Sequence, residues 1–322
     1  MRTVSSIMVR DVKCLAPTKT VADAARFLEE QKFRHLPIVD VERGSGKGGK
    51  TRQVLLGIIS DRDILRALPS DSWAVASLEK REVTAEPLNR VMTPCPHVVN
   101  PETPISEVAE TMVTRKIDCL PVVVGSDREL VGMVTSDDVT RLLLESWAAE
   151  KAGVAAALLT GRIHEVSPTD DLKTVIELMQ ARAIRHLLIT DGQGHLLGIV
   201  SDRDIARTLP ALSGAARRAH VSRDKRAQGL FRGNLFAFDE DDLQSRKVLK
   251  YPVERIMTRK VITSAPTTSI ATIAALMLQH RINAIPIVDL STHVLAGVVT
   301  KTDLLTLAAR LLREGTTDKS HG

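Results

Sequence analysis

Gly57-Ile58-Ile59-Ser60-Asp61-Arg62-Asp63 is a stretch that the chain writes four times. It returns as Gly132-Met133-Val134-Thr135-Ser136-Asp137-Asp138, as Gly198-Ile199-Val200-Ser201-Asp202-Arg203-Asp204 and as Gly297-Val298-Val299-Thr300-Lys301-Thr302-Asp303. Each copy reads glycine, two apolar residues, a hydroxyl, two variable residues and aspartate. Each then enters an apolar segment such as Ile64-Leu65 or Leu304-Leu305. The pattern predicts a strand that ends in a helix-capping hydroxyl, with a carboxylate in the first helical turn. Taken alone, Ser/Thr-x-x-Asp is capping chemistry, and a repeated unit repeats its caps. The surroundings of the motif decide whether it does more.

Upstream of each copy lies a short run ending in proline: Cys14-Leu15-Ala16-Pro17, Val98-Val99-Asn100-Pro101, Glu165-Val166-Ser167-Pro168 and Thr263-Ser264-Ala265-Pro266. A helical period follows, with apolar residues at i, i+3, i+4 and i+7. The four sets are Val21, Ala24, Ala25, Leu28; Ile105, Val108, Ala109, Met112; Leu172, Val175, Ile176, Met179; and Ile270, Ile273, Ala274, Met277. This stripe reads as core. A second strand comes next: Leu36-Pro37-Ile38-Val39, Leu120-Pro121-Val122-Val123, Leu187-Leu188-Ile189 and Ile285-Pro286-Ile287-Val288. Its second residue stands 20 positions after the proline in all four copies. Only the following hairpin varies, with 20 residues from Pro37 to Gly57 against 10 or 11 elsewhere. Fixed register inside and variable length at a turn describe one α/β (α+β) unit, β-α-β-β-α, used four times.

The chain has 322 residues, 43% of them hydrophobic and 26% charged, which suits a globular protein with room for two domains. No run has the length of a membrane span, and Met1-Arg2-Thr3-Val4-Ser5-Ser6 lacks a signal-peptide core, so a cytoplasmic location is expected. Cys14, Cys95 and Cys119 form no CxxC pair and fit a reducing compartment. A net charge of +5 and a pI near 9.2 tolerate an anionic ligand. With five Phe, two Trp and one Tyr, the chain has few platforms on which to stack nucleic-acid bases.

These units resemble CBS domains, which pair into Bateman modules and commonly bind adenine nucleotides or adenosyl compounds. The resemblance covers nearly the whole chain, and the layout is similar to the gamma subunit of AMP-activated protein kinase. It implies repeats at 4–70, 88–148, 158–212 and 251–313, with a charged linker at 213–250 and a tail at 314–322. Residues 4–148 would form one module and 158–313 another, closing into a disk within one chain or between two. In the family the motif aspartate takes the ribose hydroxyls, which assigns that role to Asp63, Asp138, Asp204 and Asp303. One carboxylate offers two acceptor oxygens to two vicinal donors. Ser60, Thr135, Ser201 and Thr300 sit where backbone N–H groups are unpaired, suiting ribose or phosphate contact. Gly57, Gly132, Gly198 and Gly297 would let backbone approach a ligand closely.

The repeats are unequal. Arg34-His35 precedes the second strand of the first, Arg185-His186 that of the third, and Arg62 and Arg203 stand before the aspartate in those two alone. Relatives turn a His/Arg pair at this place toward nucleotide phosphates, so repeats one and three are the expected phosphate sites. The second repeat has Asp118-Cys119 there, and the fourth Asn283-Ala284. Those two sites would be empty or hold an uncharged adenosyl group. Leu188 departs from the family's proline.

The expected function is therefore that of a non-catalytic, energy-sensing regulator. It would bind AMP, ADP, ATP or S-adenosylmethionine, with Mg only as a nucleotide counter-ion, and signal to a client protein in trans. An alternative is a nucleic-acid or protein-binding scaffold using the segment 211–250. There Arg217, Arg218, Arg223, Lys225, Arg226 and Arg232 precede Asp239, Glu240, Asp241 and Asp242, with Phe231, Phe236 and Phe238 between. A remoter one is an ATPase, since residues 44–51, GSGKGGKT, match the P-loop pattern. That mechanism needs a helix next, whereas Gln53-Val54-Leu55-Leu56 predicts a strand.

Overall fold

Each repeat opens with a short segment, then alternates strand and helix in the order the spacing dictates. The structure is a computed structural model that describes residues 2–43, 51–67, 85–145, 153–159, 163–205 and 247–317. The first repeat contributes α1 (Val21–Gln31), β1 (His35–Arg43), β2 (Thr51–Ser60) and α2 (Asp61–Ala67). The second contributes β3 (Thr93–Pro94), α3 (Ile105–Arg115), β4 (Cys119–Val124), β5 (Glu129–Thr135) and α4 (Ser136–Glu145). The third has β6 (Glu165–Val166), α5 (Leu172–Arg182), β7 (His186–Thr190) and β8 (Leu196–Ser201), followed by a helix from Asp202. The fourth has α6 (Ile270–His280), β9 (Ala284–Val288), β10 (Leu295–Thr300) and α7 (Lys301–Thr317). The described residues fall into two compact units, one running to Asp138 and the other starting at Val139.

The apolar stripes of α1, α3, α5 and α6 face inward, and every stripe residue except Ala25 is buried. Each of these helices ends on a residue in the left-handed region: Lys32, Lys116, Ala183 and Arg281, with φ between 52° and 56°. That conformation returns the chain into the second strand, yet no glycine is used for it.

The run before each proline pairs in parallel with the second strand, through Leu15–Ile38, Val99–Val122, β6–β7 and Ser264–Ile287. Leu188 explains why only the third pairing is long enough to count as a strand. Pro37, Pro121 and Pro286 accept a bond through the carbonyl but have no N–H to give. Leu188 keeps the same buried place and also donates its N–H to His164 O at 3.4 Å.

The second and third strands form an antiparallel hairpin in every repeat. Thr51–Ser60 is strand, so no helix follows the P-loop-like residues and the requirement of that motif is not met. Residues 44–50 lie outside the described residues, as do 68–84 and 206–246, which hold most of the stretch between the first two repeats and of the charged linker with its alternative scaffold reading.

Repeats within a unit are coupled by exchange of their opening segments, each a 3-10 turn: Val4–Ser6, Leu88–Arg90, Ala155–Leu158 and Val253–Arg255. Val4 N donates to Thr103 O and Ile105 N to Arg2 O, at the start of the partner repeat's helix α3. Leu88 N to Lys19 O and Val21 N to Glu86 O make the return exchange. The other unit repeats both, with Ala155 N to Thr268 O, Ile270 N to Gly153 O, Val253 N to Asp170 O and Leu172 N to Tyr251 O. The cores follow suit. Leu88, Val91 and Met92 complete the cluster around α1, and Leu249, Val253 and Met257 complete that around α5.

Candidate functional site

The repeated motif forms the same local structure four times. Ser60 N donates to Asp63 Oδ2 at 2.8 Å, Ser60 Oγ donates to the same oxygen at 2.6 Å, and Asp63 N donates to Ser60 Oγ at 3.3 Å. Thr135 with Asp138 and Ser201 with Asp204 reproduce all three bonds. Thr300 with Asp303 reproduces the two to the carboxylate, at 2.7 and 2.6 Å. This is a capping box with Asp in the third position. It engages Oδ2 of each aspartate and turns the hydroxyl toward that oxygen, so the capping reading of the motif is realised in every copy. A carboxylate has two oxygens, and the cap holds its plane fixed.

The strand register places the expected cationic residues beside these boxes. His35 pairs with Ser60, Cys119 with Thr135, His186 with Ser201 and Ala284 with Thr300. The residue before each of these is tied to its own helix start. Arg34 O accepts from Asp61 N, Asp118 O from Ser136 N, Arg185 O from Asp202 N and Asn283 O from Lys301 N. Hydroxyl, carboxylate, helix start and strand start therefore meet at one end of each hairpin. All four aspartates and all four hydroxyl residues there are half-buried.

In the first unit this end faces the partner repeat. Arg62 Nη1 lies 3.9 Å from Asp118 Oδ2, with the two side chains 16% and 22% exposed. Burial pushes the buried Cys119 thiol well up, and the carboxylates of Asp118 and Asp63 add to the effect. Asp63 of repeat one thus acts on the strand start of repeat two. The cation expected to bind phosphate, Arg62, is in an ion pair with a carboxylate of the neighbouring repeat.

The motif glycines lie against protein. A Cβ on Gly57 would come within 2.5 Å of Met92 Sδ and 2.9 Å of Thr93 O. At Gly132 it would meet Met8 Sδ at 2.8 Å, at Gly198 Met257 Sδ at 2.7 Å, and at Gly297 Leu159 Cδ2 at 2.7 Å. Each of those side chains belongs to the paired repeat's opening segment, so packing accounts for the glycines. Sequence reasoning passed over this exchange, although its signal was present. Met8, Met92, Leu159 and Met257 all stand nine residues before the proline of their own repeat.

Two open grooves lie at the opposite end of the hairpins. One, of about 690 Å³, is lined by Val98–Thr103 and Val123–Gly125 among others, and one of about 330 Å³ by the corresponding part of repeat three, with Asp170 and Asp191. Neither includes a motif residue. Among the described residues no group of three or more His, Cys, Asp or Glu is placed to hold a metal ion, and no helix is long and apolar enough to cross a membrane.

Four β-α-β-β-α units, coupled two by two through exchanged opening segments and repeating one capped motif, define a protein of tandem paired modules. The CBS domain family matches residues 4–70, 88–145, 155–211 and 253–310, and the chain belongs to that family as a CBS-domain regulatory protein. Protein MJ1225 of Methanocaldococcus jannaschii is 26% identical over 295 residues, covering 90% of this chain and 92% of that one. Its crystal structure, described as that of a candidate archaeal homolog of γ-AMPK, aligns with a TM-score of 0.62 and 24% identity over 95% of this chain and 99% of that one. The likeness is one of fold. The CBS domain pair of protein MJ0100, solved with 5′-methylthioadenosine and S-adenosyl-L-methionine, is 28% identical, covers 44% of this chain and 96% of its own, and has a TM-score of 0.34. A homoserine O-acetyltransferase of Methanohalobium evestigatum is 31% identical over 44% of this chain, a match that spans 24% of that enzyme.

Proposed function

We propose that this protein is a non-catalytic sensor that binds adenine nucleotides or adenosyl compounds in the clefts between paired CBS repeats and passes their occupancy to a client protein in trans. The observation that carries this reading is the position of Asp63. It is anchored by its own helix cap and stands next to Arg62, which lies 3.9 Å from Asp118 of the paired repeat. A ligand gripped there touches both repeats of a module. Its differential affinity for two arrangements of the pair is what would drive a partner.

In this reading Asp63, Asp138, Asp204 and Asp303 receive ribose hydroxyls, and the helix starts at Ser60, Thr135, Ser201 and Thr300 line the sugar. Arg185, His186 and Arg203 are the candidates for a phosphate, as are Arg34, His35 and Arg62 where no carboxylate of the paired repeat competes for them, and Mg enters only as the counter-ion of a nucleotide. The test is thermal unfolding of the full chain with AMP, ADP, ATP or S-adenosylmethionine. Ligand at 100-fold over Kd should stabilise by about 2.7 kcal/mol. Asp63→Asn and Asp204→Asn, which keep an acceptor for the cap, should each remove part of the shift. No shift with any of the four compounds would end the proposal.

A further inference from the structure

The ion pair between Arg62 and Asp118 joins two positions that recur in every repeat. Arg62 is the second residue of α2, Asp137 the second residue of α4, and Arg34 and Asp118 each precede the second strand of their repeats. The backbone bonds Asp61 N to Arg34 O and Ser136 N to Asp118 O place those residues equivalently in the two repeats. Asp137 and Arg34 thus stand at the places in their repeats that Arg62 and Asp118 hold in theirs. Repeat two carries a carboxylate at each of the two positions where repeat one carries an arginine, Asp118 for Arg34 and Asp137 for Arg62.

The second unit keeps the arginines and changes the carboxylates. Arg203 and Arg185 stand where Arg62 and Arg34 stand, but Asn283 replaces Asp118 and Thr302 replaces Asp137. Lys301, at the buried first position of α7, replaces Ser136. Each of these three changes adds one positive charge, while the capping aspartates are the same in both units. The backbone is also matched, since Asp202 N donates to Arg185 O and Lys301 N to Asn283 O. The two units thus differ by three charges at positions that match residue for residue beside the capped aspartates.

We infer that the two modules divide their ligands by charge: the module with Asp204 and Asp303 takes phosphorylated adenosyl compounds, and the module with Asp63 and Asp138 takes those without phosphate, Asp118 and Asp137 being the residues that decide. This rests on the adenosyl reading above and adds the rule that sorts the ligands. Asp118 pairs with Arg62, and the carboxylates of Asp118 and Asp137 repel a phosphate, whereas a neutral thioether or a sulfonium cation meets no such penalty.

The experiment uses calorimetric titration of the full chain with AMP and with 5′-methylthioadenosine, which share the adenosyl group and differ in the phosphate. Arg203→Gln should weaken AMP at least tenfold, and Arg62→Gln should change it less than threefold; neither substitution touches a helix cap. Asp118→Asn combined with Asp137→Thr should add AMP sites or tighten AMP in the first module about tenfold, leaving 5′-methylthioadenosine within threefold. Equal loss of AMP in Arg62→Gln and Arg203→Gln overturns the division, as does a double variant with native AMP stoichiometry and affinity. Absence of binding of both compounds to the native chain overturns the adenosyl reading itself and the division with it. Thermal melts of each variant without ligand confirm folding. Asp118→Asn alone, expected to give part of the AMP gain, replaces the double variant should the latter unfold, and no AMP gain there counts against the division equally.

Discussion

The three cysteines illustrate how differently one side chain fares in three places. Cys95 is exposed, Cys14 is half-buried with its thiol pushed up to about 11 by burial, and Cys119 is buried beside Asp118 and Asp63. Alkylation needs the thiolate. At pH 8, iodoacetamide followed by mass spectrometry should therefore find Cys95 modified first and Cys14 slowly. Cys119 should react only once the protein is unfolded, and early modification of Cys119 would contradict this packing. Gly57 gives a second case. Gly57→Ala places a Cβ against Met92 Sδ and against the Thr93 carbonyl, which is backbone and cannot swing aside. The cost should be about 1–3 kcal/mol, read as a lower urea midpoint at unchanged slope. What the chain alone revealed at this level was chemistry, not company. The hydroxyl and aspartate were legible as a cap because their partners are three residues away. The partner of Gly57 is 35 positions along in another repeat, and that of Arg62 is 56 along, so neither pairing could be read without the fold.

Among the elements, helices and strands were the most legible, because periods of 3.6 and 2 are written locally and four copies state them four times. The expected apolar stripes are the buried faces of α1, α3, α5 and α6. The helix ends were less so. A glycine normally announces a left-handed turn, and here Lys32, Lys116, Ala183 and Arg281 make it instead. Ala183 has the least to offset the cost, since it brings no long side chain to the helix end. The left-handed conformation costs an L-residue about 1–2 kcal/mol. After the greater unfolded-state freedom of glycine is deducted, Ala183→Gly should stabilise by about 1 kcal/mol. Equilibrium denaturation in urea checks this. A loss of stability would mean that the Cβ of Ala183 makes contacts worth more than the strain.

For the molecule as a whole, the sequence gives four repeats, and the structure shows that the folding unit is a pair. The family model matches residues 4–70 and 88–145, yet the 4–70 stretch lacks pieces of its own architecture. Leu88, Val91 and Met92 fill its core, and Thr93-Pro94 covers the edge of β2 at Ile58 and Gly57. A fragment of residues 4–70 should accordingly show no cooperative thermal transition by circular dichroism, whereas one carrying both repeats of the first unit should melt cooperatively. A cooperative transition in the single repeat would refute the exchange as a requirement for folding. No periodicity analysis finds this coupling, because an opening segment that leaves its own repeat looks the same in sequence as one that stays.

The exchange also limits how such a gene can grow or shrink. Since every opening turn finishes the neighbour's hairpin and not its own, an odd number of copies would leave one hairpin with a bare edge and one opening turn with nowhere to dock. Uncovered edges recruit other chains. Duplication or loss by twos avoids that hazard, so inheritance in even numbers follows from where Met8, Met92, Leu159 and Met257 come to rest.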